Sequence, residues 1–425
     1  MRPPLPDSSS CRQAMACVLL LVARLAIAQS LTFAPFHQSG VYDLGEKAGW
    51  TVTLPSGAAG VSGYSYTIKK NNLGTIKTGV LDLSSGTATI ETSLDEPAML
   101  YVEVNSAANS GAAPIHLGAA IAPSRFQPSV PRPADFDAFW DGKLKALAGI
   151  PIHPVLTPSP ANQPGLEFYS VTLDSVGSHV QGYLAKPAKE GKFPALVIFQ
   201  YAGVYALQPD TVTDRAAEGW LAFDVDSHDI APSQETGVSA TYFSIGNTDR
   251  EASYFLNMYL RDARAIDYIA SRPEWDGQTI VIMGTSMGGQ QSLVNAALRP
   301  DLVTAVIVNE PSGADSNGDL HGRKAGYPNW PSNHPNVMET ALYFDIVNFA
   351  PRIKAPVLAA LGFIDTIAPP AGIWTAFDQI RGRKELIPMV ESDHNNLTPE
   401  KQGAYHSRSK EVLNLILHGG QFKPD

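Results

Sequence analysis

The chain has 425 residues, of which 44% are apolar and 17% charged, and a formal net charge of −10. That length exceeds what one hydrophobic core usually fills, so two domains are expected, and the composition excludes a disordered or fibrous protein. With 31 Lys and Arg against 41 Asp and Glu, and no long basic run, a nucleic-acid partner is excluded, because phosphate binding needs clustered cations.

Residues 1–28 carry an export pattern: Arg2 and Arg12 supply positive charge, 14–23 are a short apolar core, and Ala26-Ile27-Ala28 is a small-x-small cleavage site. A signal peptide and a secreted or periplasmic protein are therefore expected. No later stretch approaches the ~20 apolar residues of a membrane span. Both cysteines, Cys11 and Cys17, fall inside this segment, so a cleaved chain has no disulfide, no Cys zinc site and no cysteine nucleophile.

Over 29–122 apolar and polar residues alternate with a period of two, as at Trp50, Val52 and Leu54, at Tyr64, Tyr66 and Ile68, and at Leu100, Val102 and Val104. Turn residues separate the runs, among them Ser56-Gly57 and Asn71-Asn72, which predicts antiparallel strands in a small immunoglobulin-like sandwich of about seven. The aromatics either form a sugar-binding platform or fill the sandwich's own core, and burial is the commoner fate of alternating aromatics.

Four prolines within 123–133 rule out helix or central strand and mark a linker across which few contacts need pass. A helix opens at Ala134-Asp135-Phe136, and strand and helix alternate over the rest of 134–425. Short apolar runs at 195–199, 221–225, 279–283, 303–308, 357–361 and 386–390 predict a mainly parallel, doubly covered sheet. Helical periodicity is clearest over 250–271 and returns over 400–417.

Chemistry is most visible at Gly284-Thr285-Ser286-Met287-Gly288, directly after the 279–283 strand and before a helical run. A G-x-S-x-G turn in that setting is a nucleophile elbow and predicts an α/β-hydrolase fold with Ser286 as nucleophile. A serine needs a base, and the base an orienting carboxylate, which in this fold follow in the order Ser, Asp or Glu, His on loops after later strands. Asp365 follows the 357–361 strand and His394 the 386–390 strand, so these complete the expected triad. His406 and His418 lie in or at the end of the last helix, where a histidine is usually solvated. Asp393 adjoins His394, and neighbouring loop residues generally point apart. An oxyanion hole is expected from the Met287 N–H and an N–H of the loop after 195–199, with Tyr201 and Ala202 both open as donors.

From about Pro128 onward the sequence resembles the acetyl xylan esterase and cephalosporin C deacetylase family of carbohydrate esterases. The resemblance is carried by Arg132-Pro133-Ala134-Asp135-Phe136-Asp137-Ala138-Phe139-Trp140, the stretch 259–275, the elbow, Tyr343-Phe344-Asp345-Ile346 with Arg352-Ile353-Lys354-Ala355-Pro356, and Asp365 before Pro369-Pro370. The family's triad maps onto Ser286, Asp365 and His394. Three places depart from its pattern: Met287 stands for the usual glutamine, Gln200-Tyr201-Ala202 for His-Gly-Tyr, and Asp226-Ser227-His228-Asp229 for an Arg-Gly-Gln stretch.

The resemblance implies a serine esterase that removes acetyl groups from acetylated sugars or polysaccharides, without metal or organic cofactor, and leaves a homo-oligomer open. A prolyl-peptidase-like serine peptidase shares fold and chain order, but its N-terminal propeller needs a far longer segment than 29–122. A catalytically silent carbohydrate-binding protein with this fold is the alternative from outside the enzymes, against which an intact triad speaks. A chain beginning near Gln127 is expected to keep activity on small esters.

Overall fold

The computed structural model describes residues 31–55, 63–107, 111–395 and 398–424. The export pattern and the Ser56-Gly57 turn lie outside these residues. Eight strands come first: β1 (Thr32–Pro35), β2 (Val41–Tyr42), β3 (Ala48–Thr53), β4 (Tyr64–Lys70), β5 (Gly74–Leu81), β6 (Thr87–Thr92), β7 (Ala98–Ser106) and β8 (Ile115–Ile121). They form one sheet of order β1-β3-β6 and another of order β2-β8-β7-β4-β5, antiparallel except for the β2–β8 pair. Between β4 and β5 the chain reverses through Asn71 and Asn72 at φ 51° and 52°, a left-handed conformation that asparagine tolerates better than most residues. The alternating apolar positions meet in one core containing Trp50, Val52, Ile68, Leu100, Val102 and Val104. Trp50 is 2% exposed, so its ring packs inside and offers no platform to a sugar.

The remainder runs α1 (Phe136–Ala148), β9 (Val155–Ser159), β10 (Leu166–Ser175), β11 (Ser178–Pro187), β12 (Phe193–Phe199), α2 (Asp210–Glu218), β13 (Leu221–Asp226), α3 (Tyr254–Ser271), β14 (Trp275–Thr285), α4 (Met287–Leu298), β15 (Ala305–Asn309), α5 (Pro335–Ala341), α6 (Ile346–Phe349), β16 (Val357–Gly362), α7 (Pro370–Gln379), β17 (Lys384–Met389) and α8 (Pro399–Leu417). One sheet of order β17-β16-β15-β14-β12-β13-β11-β10-β9 results, parallel from β17 to β13 and antiparallel beyond. It is a mixed sheet with helices on both faces, the architecture of an α/β-hydrolase. Successive strand residues point to opposite faces, and the core divides accordingly. Ala195, Val197, Val357 and Ala359 pack under α1, α3, α4 and α7, whereas Leu196, Leu358 and Ala360 pack under α2 and α8.

The residues that carry the family resemblance at the start of this part are structural. Arg132 grips both oxygens of Asp137 at 2.6 Å and donates to the Asn348 carbonyl at 2.7 Å. The Trp140 indole, fully buried, donates to the Tyr343 carbonyl at 2.9 Å, and Arg352 reaches Asp137 and Asp141. Together they dock α1 onto the segment leading into β16.

The expectation that few contacts cross the Pro-rich stretch is corrected. Met99, Ala120 and Phe126 share a buried cluster with Leu361, Phe363, Ala368, Ala371 and Ile373. A Cβ on Gly118 of β8 would come within 2.5 Å of the Phe363 side chain, so only glycine lets the two surfaces close. Asn71 accepts from the Lys324 N–H at 3.1 Å and donates to the Gly322 carbonyl at 3.2 Å. Ser129, in the Pro-rich stretch itself, donates through N–H and hydroxyl to Asp315 at 2.9 and 2.6 Å. Proline removes backbone donors from this segment, but side chains and an apolar face hold it down.

Candidate active site

All six parallel strands direct their carboxyl ends to one edge, where loops that carry chemistry collect. Ser286 sits between β14 and α4 at φ 56°, ψ −121°, a conformation a non-glycine residue holds only where its surroundings force it. Here the two glycines supply that force. A Cβ on Gly284 would lie 2.3 Å from the backbone of Gly288, and one on Gly288 would lie 2.1 Å from the Phe199 carbonyl. The turn is therefore wedged against the end of β12, and the serine hydroxyl is pushed out of the sheet at the N-terminus of α4.

Asp365, three residues past β16, and His394, five past β17, converge on it. His394 Nε2 is 2.9 Å from Ser286 Oγ, and Nδ1 is 2.7 Å from Asp365 Oδ2. The other oxygen of Asp365 accepts two backbone N–H bonds, from Ile367 and Ala368, both at 2.8 Å, which fixes the carboxylate's direction. Burial works against a charged His394, but the hydrogen bond to Asp365 and the negative charge of Asp365 outweigh it and raise its pKa above the usual 6.5. With Nδ1–H donating to Asp365, Nε2 is left to accept the serine proton. Neither competing histidine approaches: His406 is exposed on α8, and His418 bonds the Asn414 carbonyl at 2.8 Å. Asp393 accepts the Asn395 N–H at 3.0 Å, while Asp365 holds the imidazole.

The two loops that depart from the family pattern are bonded to each other. Ser227 donates its N–H to the Gln200 side chain at 2.9 Å, and its hydroxyl lies 3.3 Å from the Gln200 carbonyl. Gln291 on α4 also donates to that carbonyl, at 2.8 Å. His228 is buried, and its Nε2 lies 2.9 Å from the Gly203 carbonyl and its Nδ1 2.7 Å from the Tyr254 hydroxyl. Burial pushes this imidazole down to about 4, so it is neutral in ordinary buffers. Gly203 N–H donates to the Tyr242 hydroxyl at 3.3 Å; that hydroxyl lies 2.7 Å from Tyr327's and 3.2 Å from Met287 Sδ. Met287, Gln200 and the 226–229 segment thus form one braced unit beside Ser286. Of the loop's two candidate donors, Tyr201 is exposed, with its ring stacked on that of Tyr205, and Ala202 is part-buried against the core.

Sequence reasoning missed His228, Tyr242 and Tyr327, which carry no motif, and it missed Glu310. That residue directly follows β15 at φ 45° and is fully buried. Its Oε2 lies 4.0 Å from His394 Nδ1. The position, an acid at the same edge one strand after the elbow strand, is the signal that would have found it. Glu310, Asp365 and His394 bring their donor atoms within 4.8 Å of one another. As a metal site the trio is poor, because Nδ1 carries its proton toward Asp365 and that carboxylate already accepts two backbone N–H groups.

A sheet of this topology with a serine at its elbow defines an α/β-hydrolase. The acetyl xylan esterase (AXE1) family profile matches residues 123–313 and 327–409, and the chain belongs to that family. Acetyl esterase Axe7A of Xylanibacter ruminicola is 29% identical over 383 residues, covering 85% of each chain, so the likeness extends into the N-terminal sheets. An acetyl xylan esterase from Paenibacillus sp. R4 superposes with a TM-score of 0.61 at 23% identity, over 69% of this chain and 98% of its own. Acetyl xylan esterase 1 from Thermoanaerobacterium sp. JW/SL YS485 gives 0.58 at 23% identity, over 70% and 97%. The solved esterases share the hydrolase fold and, being matched almost whole, leave the rest of this chain without a counterpart. Family and relatives make the protein a carboxylic ester hydrolase.

Proposed function

We propose that this esterase removes O-acetyl groups from acetylated carbohydrates, of the xylan or xylo-oligosaccharide kind, through a Ser286–His394–Asp365 triad. The observation that carries the reading is the His394 imidazole held at 2.9 Å from Ser286 Oγ and 2.7 Å from Asp365. Ser286 Oγ attacks the acetyl carbonyl as its proton passes to His394 Nε2, and Asp365 stabilises the imidazolium. The oxyanion faces the Met287 N–H, at the first turn of α4 where N–H groups have no helical acceptor, and an N–H of Tyr201 or Ala202. Collapse returns the proton to the sugar alkoxide and leaves acetyl-Ser286. Water, deprotonated by His394, then releases acetate.

The reading further takes 1–28 as a cleaved signal for secretion or the periplasm, 29–122 as an immunoglobulin-like accessory sandwich, 123–133 as a linker and 134–425 as the catalytic domain. It is supported by the export pattern and by the two packed sheets. Ser286→Ala is expected to lower kcat/KM on p-nitrophenyl acetate by on the order of a thousandfold without changing the melting temperature. A sulfonyl fluoride should label Ser286. Acetate release from acetylated xylan, assayed beside cleavage of a Pro-peptide, tests the substrate: peptide cleavage without acetate release would overturn the proposal.

A further inference from the structure

The geometry points to Glu310 as a positioning residue with two ends. One carboxyl oxygen braces the histidine loop, and the other stands as a second acceptor for His394 Nδ1–H, able to replace Asp365. This rests on the triad proposed above. Oε1 accepts from the Ser392 hydroxyl at 3.2 Å, two residues before His394, and Ser392 in turn accepts from Gln402 of α8 at 3.2 Å. Oε2 is buried without a hydrogen-bond partner among the described residues, and it lies 4.0 Å from the nitrogen that Asp365 holds at 2.7 Å. A buried orphan oxygen is costly and calls for an explanation, and the left-handed φ of 45° shows that the backbone is held against preference to place it there.

Electrostatics explain why the two carboxyls do not compete in the intact site. Burial first, then the charge of Asp365, push Glu310 up to about 8, while His394 and the Ser392 hydrogen bond pull it down. Around neutral pH Glu310 is therefore largely a neutral acid. Two other ionisable groups bear on the cluster. Asp393 favours a charged His394 from the same loop, and the buried Tyr405 of α8, itself held above its ordinary range mainly by burial, feels the Glu310 charge. Removing Asp365 removes one of the two causes that keep Glu310 protonated. Glu310 then loses its proton to solvent at lower pH, and its carboxylate accepts the Nδ1–H in place of Asp365.

The test is a double-mutant cycle on p-nitrophenyl acetate from about pH 5 to pH 9. Asp365→Ala should retain about a hundredfold more turnover than His394→Ala, with a rate that climbs with pH as Glu310 ionises. Adding Glu310→Gln should abolish both the residual rate and the climb, and should cost far more in that background than in the parent. Glutamine still accepts from Ser392, so the lost pH dependence separates proton acceptance from loop bracing. Should Asp365→Ala fail to fold, Asp365→Ser, whose short hydroxyl can accept from the Ile367 and Ala368 N–H groups without donating to Nδ1 from the place of Oδ2, carries the same comparison. Equal residual rates with and without Glu310, or Asp365 variants as inactive as His394→Ala, would overturn the assignment. A Ser286→Ala enzyme of normal activity would instead sink the triad itself.

Discussion

The role proposed for His394 rests on two bonds that neither His406 nor His418 makes. His394→Ala is expected to cost nearly as much as Ser286→Ala in kcat/KM, with His406→Ala and His418→Ala within about twofold of the parent, since these two are distant from the hydroxyl. Because the base acts neutral and its pKa is raised, activity should fall on acidification at a pH above the usual 6.5, and a kcat/KM profile checks this. Glu310 gives a second sign to test. An acid held protonated to about 8 in the fold but free to ionise near 4.5 when unfolded destabilises the fold progressively between those values. The melting-temperature advantage of Glu310→Gln should therefore grow from pH 5 to pH 8, and a constant difference would refute it. The three residues proposed as the triad could be chosen from the sequence because chain order and strand ends constrain them. Glu310 was not, because one acid at a strand end among 41 Asp and Glu stands out only once its distance to the imidazole is known.

At the level of elements, the parallel strands could be read from their apolar runs, which shift by only a few residues in the fold. Helix α3 begins at Tyr254 rather than 250, since Ser253 precedes its first turn. Strands β9 to β11 were not among the expected runs, although the alternation Ser170-Val171-Thr172-Leu173-Asp174 in β10 carries the same period of two that marks the N-terminal strands. The elbow's demand for glycine was readable, and the structure gives it a magnitude. A Cβ on Gly288 meets a carbonyl at 2.1 Å, so Gly288→Ala must displace β12 or α4, costing about 3 kcal/mol or more and most of the activity. Calorimetry with a parallel esterase assay measures both. The brace behind the loop after β12, by contrast, is made of side chains from the segment after β13, α4 and the Tyr242 segment that have no common sequence pattern. Removing its buried imidazole with His228→Ala should free the Gly203 carbonyl and lower kcat by roughly ten- to a hundredfold with a smaller change in KM. A pure KM effect would contradict this.

Across the whole molecule, prolines at 123–133 suggested independence, and the structure argues for dependence. Periodicity reports which face of a strand is buried but not against what, so Met99 and Ala120 read equally well as sandwich core. They instead cover Phe363, which stands two residues from Asp365. A chain beginning near Gln127 is therefore expected to lose most small-ester activity as well as stability. Phe363→Ala in the full chain should destabilise it by about 3–5 kcal/mol. Denaturant melts and p-nitrophenyl acetate turnover on both proteins decide the matter, and a truncated enzyme within a few-fold of full length would restore the independent reading.

The shared seam at Phe363 also sets an order of events during synthesis. Strands β7 and β8 leave the ribosome early, whereas the segment that covers Met99 and Ala120 follows only after most of the large sheet has been made. For that interval the early sheets present an uncovered apolar face, the kind of surface on which nascent chains stick to one another. A cell making this protein thus has reason to guard the first hundred-odd residues until the last third arrives, and slowing translation across that last third lengthens the exposure.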